Sequence, residues 1–163
     1  LNTCGRMEKA GMALSICMNS REDLEEAQNM AVEYQRSIVG NIKKALDKLQ
    51  IGDNIGYLIT QDMESTGMVA STMVRYINPD MPFIAVNQVE DIVKVSARGT
   101  RILVENGLDL AFALREASKS VGGDGGGHNI AAGASIPQGS AEEFIAKVDE
   151  IVGSQLGDSG DDA

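Results

Sequence analysis

The 163-residue sequence has no tryptophan, only two cysteines and one histidine, and its aromatic residues amount to 4%. Two cysteines are too few for a disulfide framework or a zinc site. We therefore expect Cys4 and Cys17 to be buried free thiols in a reducing compartment. No apolar run approaches the ~20 residues that span a bilayer, and no secretory signal pattern opens the chain. These absences predict a soluble, cytoplasmic protein without a membrane partner.

Basic residues are also few, since the formal net charge is −10. A chain this acidic does not offer the broad basic surface with which proteins hold nucleic acid non-specifically. The acidic excess is uneven, however. It is concentrated in residues 21–33 and 154–163, whereas the charges of residues 94–119 are mostly basic. A local phosphate-binding patch is therefore compatible with the negative total.

The first half of the chain is predicted to be helical. Leu1 opens a run that reads as the middle of a fold, so we expect the chain to continue a longer protein; residues 1–18 predict a short helix or a turn and a helix. Apolar residues then recur at steps of three and four from Leu24 to Leu49, which predicts one helix over residues 21–49. A connector between two lobes explains this length better than a core helix does. A homodimeric coiled coil is the alternative, although the pattern covers only about four heptads.

The second half alternates short strands with helices. The apolar patterns and turn signals predict strands at 55–60, 82–88, 91–96 and 131–136 and helices at 66–77, 107–120 and 140–153. The second and third strands are expected to pair as an antiparallel hairpin. The fold class is therefore α/β, a small domain with a mixed β-sheet flanked by helices and preceded by a long connector helix.

A glycine-rich segment lies before the last predicted strand. Six of the thirteen residues 122–134 are glycine, and the only histidine, His128, lies at the centre. We expect a loop whose exposed backbone N–H groups form an anion-binding concavity, with His128 donating to a phosphate oxygen. The alternative is a flexible loop with an incidental histidine. The binding interpretation is favoured because the segment runs directly into the packed AAGASIP strand, whereas flexible linkers continue into polar sequence.

A second candidate is Arg98, which follows the predicted strand at 91–96. An arginine at a strand end is aimed well, and its guanidinium can hold phosphate through two hydrogen bonds. Taken alone, a surface arginine in a solvated turn is the better interpretation, because exposed arginines are common.

Together these motifs resemble a known family. The run Gly125–Gly133, GGGHNIAAG, and the preceding Ser96-Ala97-Arg98 resemble the DHH-associated domain of the DHH phosphoesterase superfamily. The opening LNTCGRM resembles the element that ends the catalytic domain of RecJ-like single-strand nucleases, including archaeal forms. The resemblance implies four segments: a remnant of the DHH catalytic domain at 1–20, a connector helix at 21–50, the DHH-associated substrate-binding domain at 51–153, and a disordered acidic tail at 154–163.

The resemblance also implies that catalysis and substrate binding belong to different domains of the parent protein. The parent protein would be a metal-dependent phosphodiesterase, a 5′–3′ exonuclease, with Mn²⁺ or Mg²⁺ held by its N-terminal domain. This chain would contain no catalytic or metal-ligating residue, bind no cofactor and be inactive alone. The implied substrate- or phosphate-binding residues are Ser96, Arg98, Gly125, Gly126, Gly127, His128 and Arg6. For Arg6 a supporting role at the domain junction is favoured. Asp124 stands where the family pattern has glycine, so it is expected to point away from the phosphate or to bind a cation.

The expected partners are single-stranded nucleic acid or a nucleotide phosphate, the N-terminal DHH domain, and replication or repair proteins. A homodimer through residues 1–49 is also expected, because the first helices carry apolar surface. Two other functions stay open. The same module occurs in phosphoesterases that cleave small molecules or short oligonucleotides, and it could serve a replication scaffold that lacks catalysis.

Overall fold

The structure is a computed structural model that describes residues 1–61, 63 and 65–157. The chain divides into two compact units, residues 1–41 and residues 42–163. The predicted tail at 158–163 lies outside the described residues. None of the described helices is long and apolar enough to cross a membrane.

The first unit is helical. It contains α1 (Asn2–Arg6), α2 (Ala10–Cys17) and most of α3 (Arg21–Asp47). Ser20 begins α3, because its hydroxyl accepts a hydrogen bond from the backbone N–H of Asp23 at 3.3 Å. The long helix predicted at 21–49 is confirmed and ends two residues earlier. Both cysteines are free, but the prediction that both are buried is wrong for Cys17, because α2 buries none of its residues.

The second unit is built on a six-stranded sheet. Its strands are β1 (Gln50–Ile51), β2 (Gly56–Gln61), β3 (Phe83–Val89), β4 (Ile92–Arg98), β5 (Asp124–His128) and β6 (Ala131–Ile136), in the spatial order β1-β2-β3-β4-β6-β5. Only β2 and β3 run parallel among the paired strands described. The predicted mixed sheet and the antiparallel pairing of β3 with β4 are confirmed.

Helices cover the two faces of this sheet unequally. The helices are α4 (Thr66–Tyr76), α5 (Arg101–Glu105), α6 (Leu110–Ser120) and α7 (Ala141–Gly157). Side chains of α6 and α7 form the larger core cluster with β2, β3, β4 and β6. On the other face α4 forms a smaller cluster with residues of β2 and β3 and with Ala45 and Met63. The outer strands β6 and β5 therefore have one face that no described helix of the second unit covers.

Two predicted elements are corrected by the structure. The glycine-rich segment is the edge strand β5 rather than a loop, because residues 124–128 pair with residues 131–135 of β6. The helix predicted at 107–120 begins at Leu110, and a separate short helix, α5, precedes it. Gly107 ends α5 with a φ of 102°, and Asp109 begins α6 by accepting a hydrogen bond from Phe112 N–H at 3.0 Å.

The turn between β1 and β2 is fastened to α7 by Asp149. Its carboxylate accepts hydrogen bonds from the backbone N–H groups of Asp53, at 3.0 Å, and Asn54, at 2.7 Å. The side-chain amide of Asn54 donates in return to the carbonyl of Asp149 at 3.2 Å. This contact ties the last helix to the start of the sheet.

Candidate phosphate-binding site on the open face of the sheet

The candidate site lies on the face of β6 and β5 that no helix of the second unit covers, together with the adjoining side chains of β4 at the start of α4; we call it the open face. Alternation along β4 decides which residues lie there. Its alternate side chains Val93, Val95 and Ala97 are buried in the larger core cluster. The intervening Lys94, Ser96 and Arg98 therefore lie on the open face.

Strand register aligns three rows of residues across the open face. Residues directly opposite each other in an antiparallel ladder have their side chains on one face. The rows are Arg98–Ala131–His128, Ser96–Gly133–Gly126 and Lys94–Ser135–Asp124. Arg98 and His128 lie two strand spacings apart, about 10 Å between their backbones. The structure thus brings four predicted site residues to one surface, namely Ser96, Arg98, Gly126 and His128.

The three glycines of the motif serve different purposes. A Cβ on Gly125 would lie 2.8 Å from both the Leu114 carbonyl oxygen and the Ser118 hydroxyl, so this glycine permits α6 to approach β5. Gly127 has a φ of 142°, a conformation that side chains disfavour. A Cβ on Gly126 would meet nothing within 4 Å. The predicted concavity of loop N–H groups is replaced by a strand, while a role of these backbones in binding stays a prediction.

Arg98 is the charged centre of the site. It is half-buried, and its Nη1 donates to the carbonyl oxygens of Ala97, at 2.7 Å, and Ala132, at 3.5 Å. Burial lowers the pKa of Arg98 from its ordinary value. Arginine nevertheless stays charged in proteins. No carboxylate forms an ion pair with it among residues 1–61, 63 and 65–157. The guanidinium is therefore a partly desolvated cation that an anion would stabilise.

The start of α4 adjoins Arg98 and Ser96. The hydroxyl of Thr66 lies 3.3 Å from that of Ser96, and either can be the donor. A Cβ on Gly67 would lie 2.9 Å from Nη2 of Arg98. The positive end of the α4 dipole thus lies beside the guanidinium. Sequence reasoning missed Thr66 and Gly67; the only signal was a cluster of small hydroxyl and glycine residues at the helix start.

A buried amide holds the segment that leads into α4. The Asn87 side chain accepts from the Met63 N–H and donates to the Met63 carbonyl, both at 3.0 Å. This pair of bonds extends the contact between β2 and β3 beyond the last paired residues. Asn87 therefore positions the chain just before the helix start that adjoins Ser96.

The remaining predicted residues lie elsewhere. His128 is exposed, and it pairs with Ala131 through the backbone of the β5–β6 ladder. Arg6 is the exposed last residue of α1 and belongs to the first unit. Asp124 shares a row with Lys94, and four residues of strand, about 13 Å, separate it from His128. Its carboxylate therefore does not adjoin the Arg98–His128 row.

No group of three or more His, Cys, Asp or Glu side chains that could hold a metal ion occurs within the described ranges. The open face offers cations, hydroxyls and a helix N-terminus, which is chemistry for binding an anion.

Comparison with known proteins shows the family of this chain. Residues 54–154 match the DHHA1 domain model. An uncharacterized protein of Methanocaldococcus jannaschii is 36% identical over 156 residues, which are 96% of this chain and 34% of that protein. The chain thus spans about a third of the length of that relative.

Two solved structures show the fold. RecJ from Thermus thermophilus, in complex with Mn²⁺, superposes with a TM-score of 0.74 at 20% identity, over 94% of this chain and 23% of that one. The C-Ala domain of Aquifex aeolicus alanyl-tRNA synthetase superposes with a TM-score of 0.55 at 16% identity, over 64% of this chain and 97% of that one. With its family match and this likeness, the chain belongs to the DHHA1 domain family of the DHH superfamily and is RecJ-like in fold.

Proposed function

We propose that this chain is the substrate-binding C-terminal part of a RecJ-like single-strand nucleic-acid exonuclease, and that it holds the terminal 5′-phosphate of a strand. The observation that carries the proposal is Arg98, a half-buried cation without a carboxylate partner among the described residues. An anion would add a charge-assisted contact to this cation, and phosphate matches the guanidinium fork.

The neighbours of Arg98 supply the rest of the phosphate site. The hydroxyls of Ser96 and Thr66 can donate to phosphate oxygens, and the N-terminus of α4 adds a positive dipole. His128 lies at the far end of the same row and would contact the sugar of the terminal nucleotide or another oxygen of its phosphate. Gly126 and Gly133, in the neighbouring row, have no side chains. The end of a nucleic-acid strand can therefore approach the backbone of β5 and β6 there.

Hydrolysis itself belongs, in this proposal, to the N-terminal domain of the parent protein. Mn²⁺ or Mg²⁺ bound there would activate water for attack on the phosphodiester. The residues of this chain would hold the end of the nucleic-acid strand in place relative to that site. Such positioning lowers the entropic part of the activation barrier. The chain alone is then inactive, and the parent acts in the cytoplasm with replication or repair proteins.

A second candidate is a phosphoesterase that acts on mononucleotides or short oligonucleotides. The formal net charge of −10 favours it, because a long polyanion is repelled by an acidic protein. The two candidates predict different dependence on substrate length. Exonuclease binding should strengthen with strand length, whereas small-substrate binding should not.

The test is a fluorescence-anisotropy titration of this chain with a short single strand carrying a 5′-phosphate, compared with the same strand carrying a 5′-hydroxyl or only a 3′-phosphate. We expect the 5′-phosphorylated strand to bind at least about tenfold more tightly, because a charge-assisted contact contributes roughly 1.5–3 kcal/mol. Arg98→Met should remove that preference. Ser96→Ala and His128→Ala should weaken it by smaller factors.

The matched control is Arg115→Met, which removes a cation from the exposed surface of α6. It should leave the preference for a 5′-phosphate unchanged. Equal binding of all three strands by a folded wild-type chain would overturn the proposal, as would an Arg98→Met variant that keeps the preference. A mononucleotide that binds as tightly as the strand would favour the second candidate.

A further inference from the structure

Behind Arg98, on the side away from Ser96, lies a cavity of about 440 Å³, which we call the arginine pocket. Its lining includes Val74, Arg75, Arg98, Arg101, Ile130 and Ala131. The pocket is bounded by α4, by the start of α5 and by the β5–β6 turn. Arg98 is shared between this pocket and the proposed phosphate site, so the two are contiguous.

The lining is positively charged. Arg75 comes from the last turn of α4, Arg98 from the end of β4 and Arg101 from the start of α5, and no acidic residue lines the cavity. None of the three forms an ion pair within the described part of the chain. A cation in the first turn of a helix opposes the helix dipole, so Arg101 does not stabilise α5. The three guanidinium groups therefore leave charge available for an anion.

The hydroxyls of the pocket are already engaged. Ser71 donates to the Gly67 carbonyl at 2.8 Å, and Thr100 donates to the Pro79 carbonyl at 3.4 Å while accepting from Leu103 N–H at 3.3 Å. Polar recognition in the pocket thus falls to the arginines.

The rest of the lining is apolar. Val74 is buried, Ile130 is 38% exposed, and Ala131 lies partly exposed beside them. A surface of this kind suits the flat face of a base or the carbons of a sugar. The volume is in the range of pockets that hold small organic ligands, roughly 300–1,000 Å³. An anionic ligand with an apolar plane meets both requirements, and a nucleotide is such a ligand.

We propose that the arginine pocket binds the second nucleotide of the strand, with the first phosphodiester between Arg75 and Arg101 and the base or sugar against Val74 and Ile130. The inference rests on the proposed function, because it takes the terminal phosphate to be at Arg98. A ligand held there continues into the pocket that shares Arg98. An acidic peptide offers carboxylates but not the apolar plane next to them.

The test compares a 5′-phosphorylated mononucleotide with a 5′-phosphorylated dinucleotide by calorimetric titration of the whole chain. We expect the wild type to bind the dinucleotide about tenfold more tightly, as one added charge-assisted contact implies. In the double variant Arg75→Gln and Arg101→Gln this ratio should fall to about one, while mononucleotide binding is kept. The slope of log affinity against log salt for the dinucleotide should fall by about 0.7, the value for one phosphate contact with a single strand.

Two further variants sharpen the test. Arg115→Gln with Lys119→Gln removes the same charge from the exposed side of α6 and should leave the ratio unchanged. Ile130→Ser keeps every charge and should lower the ratio by removing the apolar contact. Thermal unfolding of each variant establishes that the fold is intact.

The outcomes separate this inference from the proposed function. A mononucleotide that binds through Arg98, with a dinucleotide that binds no more tightly, would overturn the inference and leave the proposed function standing. Failure of the wild type to bind either ligand would overturn both. If the ratio of dinucleotide to mononucleotide affinity fell equally in the arginine variant and in the α6 control, the cause would be a general charge effect. That outcome also overturns the inference. An aspartate-rich peptide that depends on Arg75 and Arg101, with dinucleotide binding unaffected, would assign the pocket to a protein partner instead.

Discussion

Arg98 and His128 lie on the same face of the sheet with Ala131 of the intervening strand between them. This spacing, about 10 Å between the backbones, is too long for a direct contact and leaves room for a phosphate and its sugar. Neither side chain has an ionic partner among the described residues. The next row, Ser96–Gly133–Gly126, lies directly beside them and carries only one side chain. Between and beside Arg98 and His128, these two rows therefore carry only the small side chains of Ala131 and Ser96.

The first prediction separates two neighbouring glycines. Gly125→Ala should lower the free energy of unfolding by about 1–3 kcal/mol, because the new methyl group would lie 2.8 Å from the Leu114 carbonyl and the Ser118 hydroxyl. Gly126→Ala has open space and should unfold like the wild type. Urea denaturation measures both. Gly126→Val should keep stability yet weaken nucleotide binding, because its side chain fills the floor of the open face. Equal stability losses at both positions would contradict the packing assigned to Gly125.

The second prediction concerns the unpaired charge of Arg98. Inorganic phosphate at about ten times its Kd should stabilise the wild type by roughly 1.4 kcal/mol, since the ligand binds the folded state alone. For a domain of this size that raises Tm by about 3–6 °C. Arg98→Met should show no such rise. Sodium chloride at equal ionic strength is the control for screening, and a similar rise with chloride would argue against a phosphate site.

The third prediction addresses the link between α7 and the sheet. Asp149→Ala removes a carboxylate that accepts two backbone hydrogen bonds, at 3.0 and 2.7 Å. The free energy of unfolding should fall by about 1–3 kcal/mol, because the N–H groups of Asp53 and Asn54 lose a charged acceptor. Glu150→Ala is the control. It removes an exposed ion pair with Lys147, and such pairs contribute only about 0–1 kcal/mol.

Much of this fold is predictable because local pattern and burial agree. In β4 the alternation of Val93 and Val95 with Lys94 and Ser96 is visible in the sequence, and it assigns Lys94 and Ser96 to one face. Arg98 joins that face because the strand, predicted to end at residue 96, continues to Arg98. The steps of three and four along α3 likewise predict a single long helix. In both elements the type of each residue indicates whether its side chain is buried or exposed.

The glycine-rich strand could not be predicted in this way. Glycine is depleted in strands and has no side chain that alternates, so residues 124–128 carry no strand pattern. Their conformation depends on pairing with β6 and on the close approach of α6 at Gly125, both of which are tertiary.

Thr66 and Gly67 were missed for a related reason. Their place beside Ser96 depends on where the crossover from β2 to β3 carries α4, which no local pattern encodes. The helix start predicted at residue 107 is wrong, although Gly107 and Asp109, a helix end and a helix cap in order, mark the start of α6 in the sequence.

The last prediction tests how the start of α4 is held in place. Asn87 is buried and bonds both backbone groups of Met63 at 3.0 Å. Asn87→Leu has a similar volume but leaves a buried N–H and a carbonyl unpaired, so the free energy of unfolding should fall by about 2–4 kcal/mol. Asn87→Asp retains the acceptor and loses the donor. Its free energy of unfolding should lie between those of the wild type and Asn87→Leu. Beyond stability, the folded Asn87→Asp variant should bind phosphate more weakly at unchanged Arg98, because the chain before Thr66 is less firmly positioned. Phosphate titration of the folded variants measures this effect. Unchanged phosphate affinity with lowered stability would limit Asn87 to a structural role.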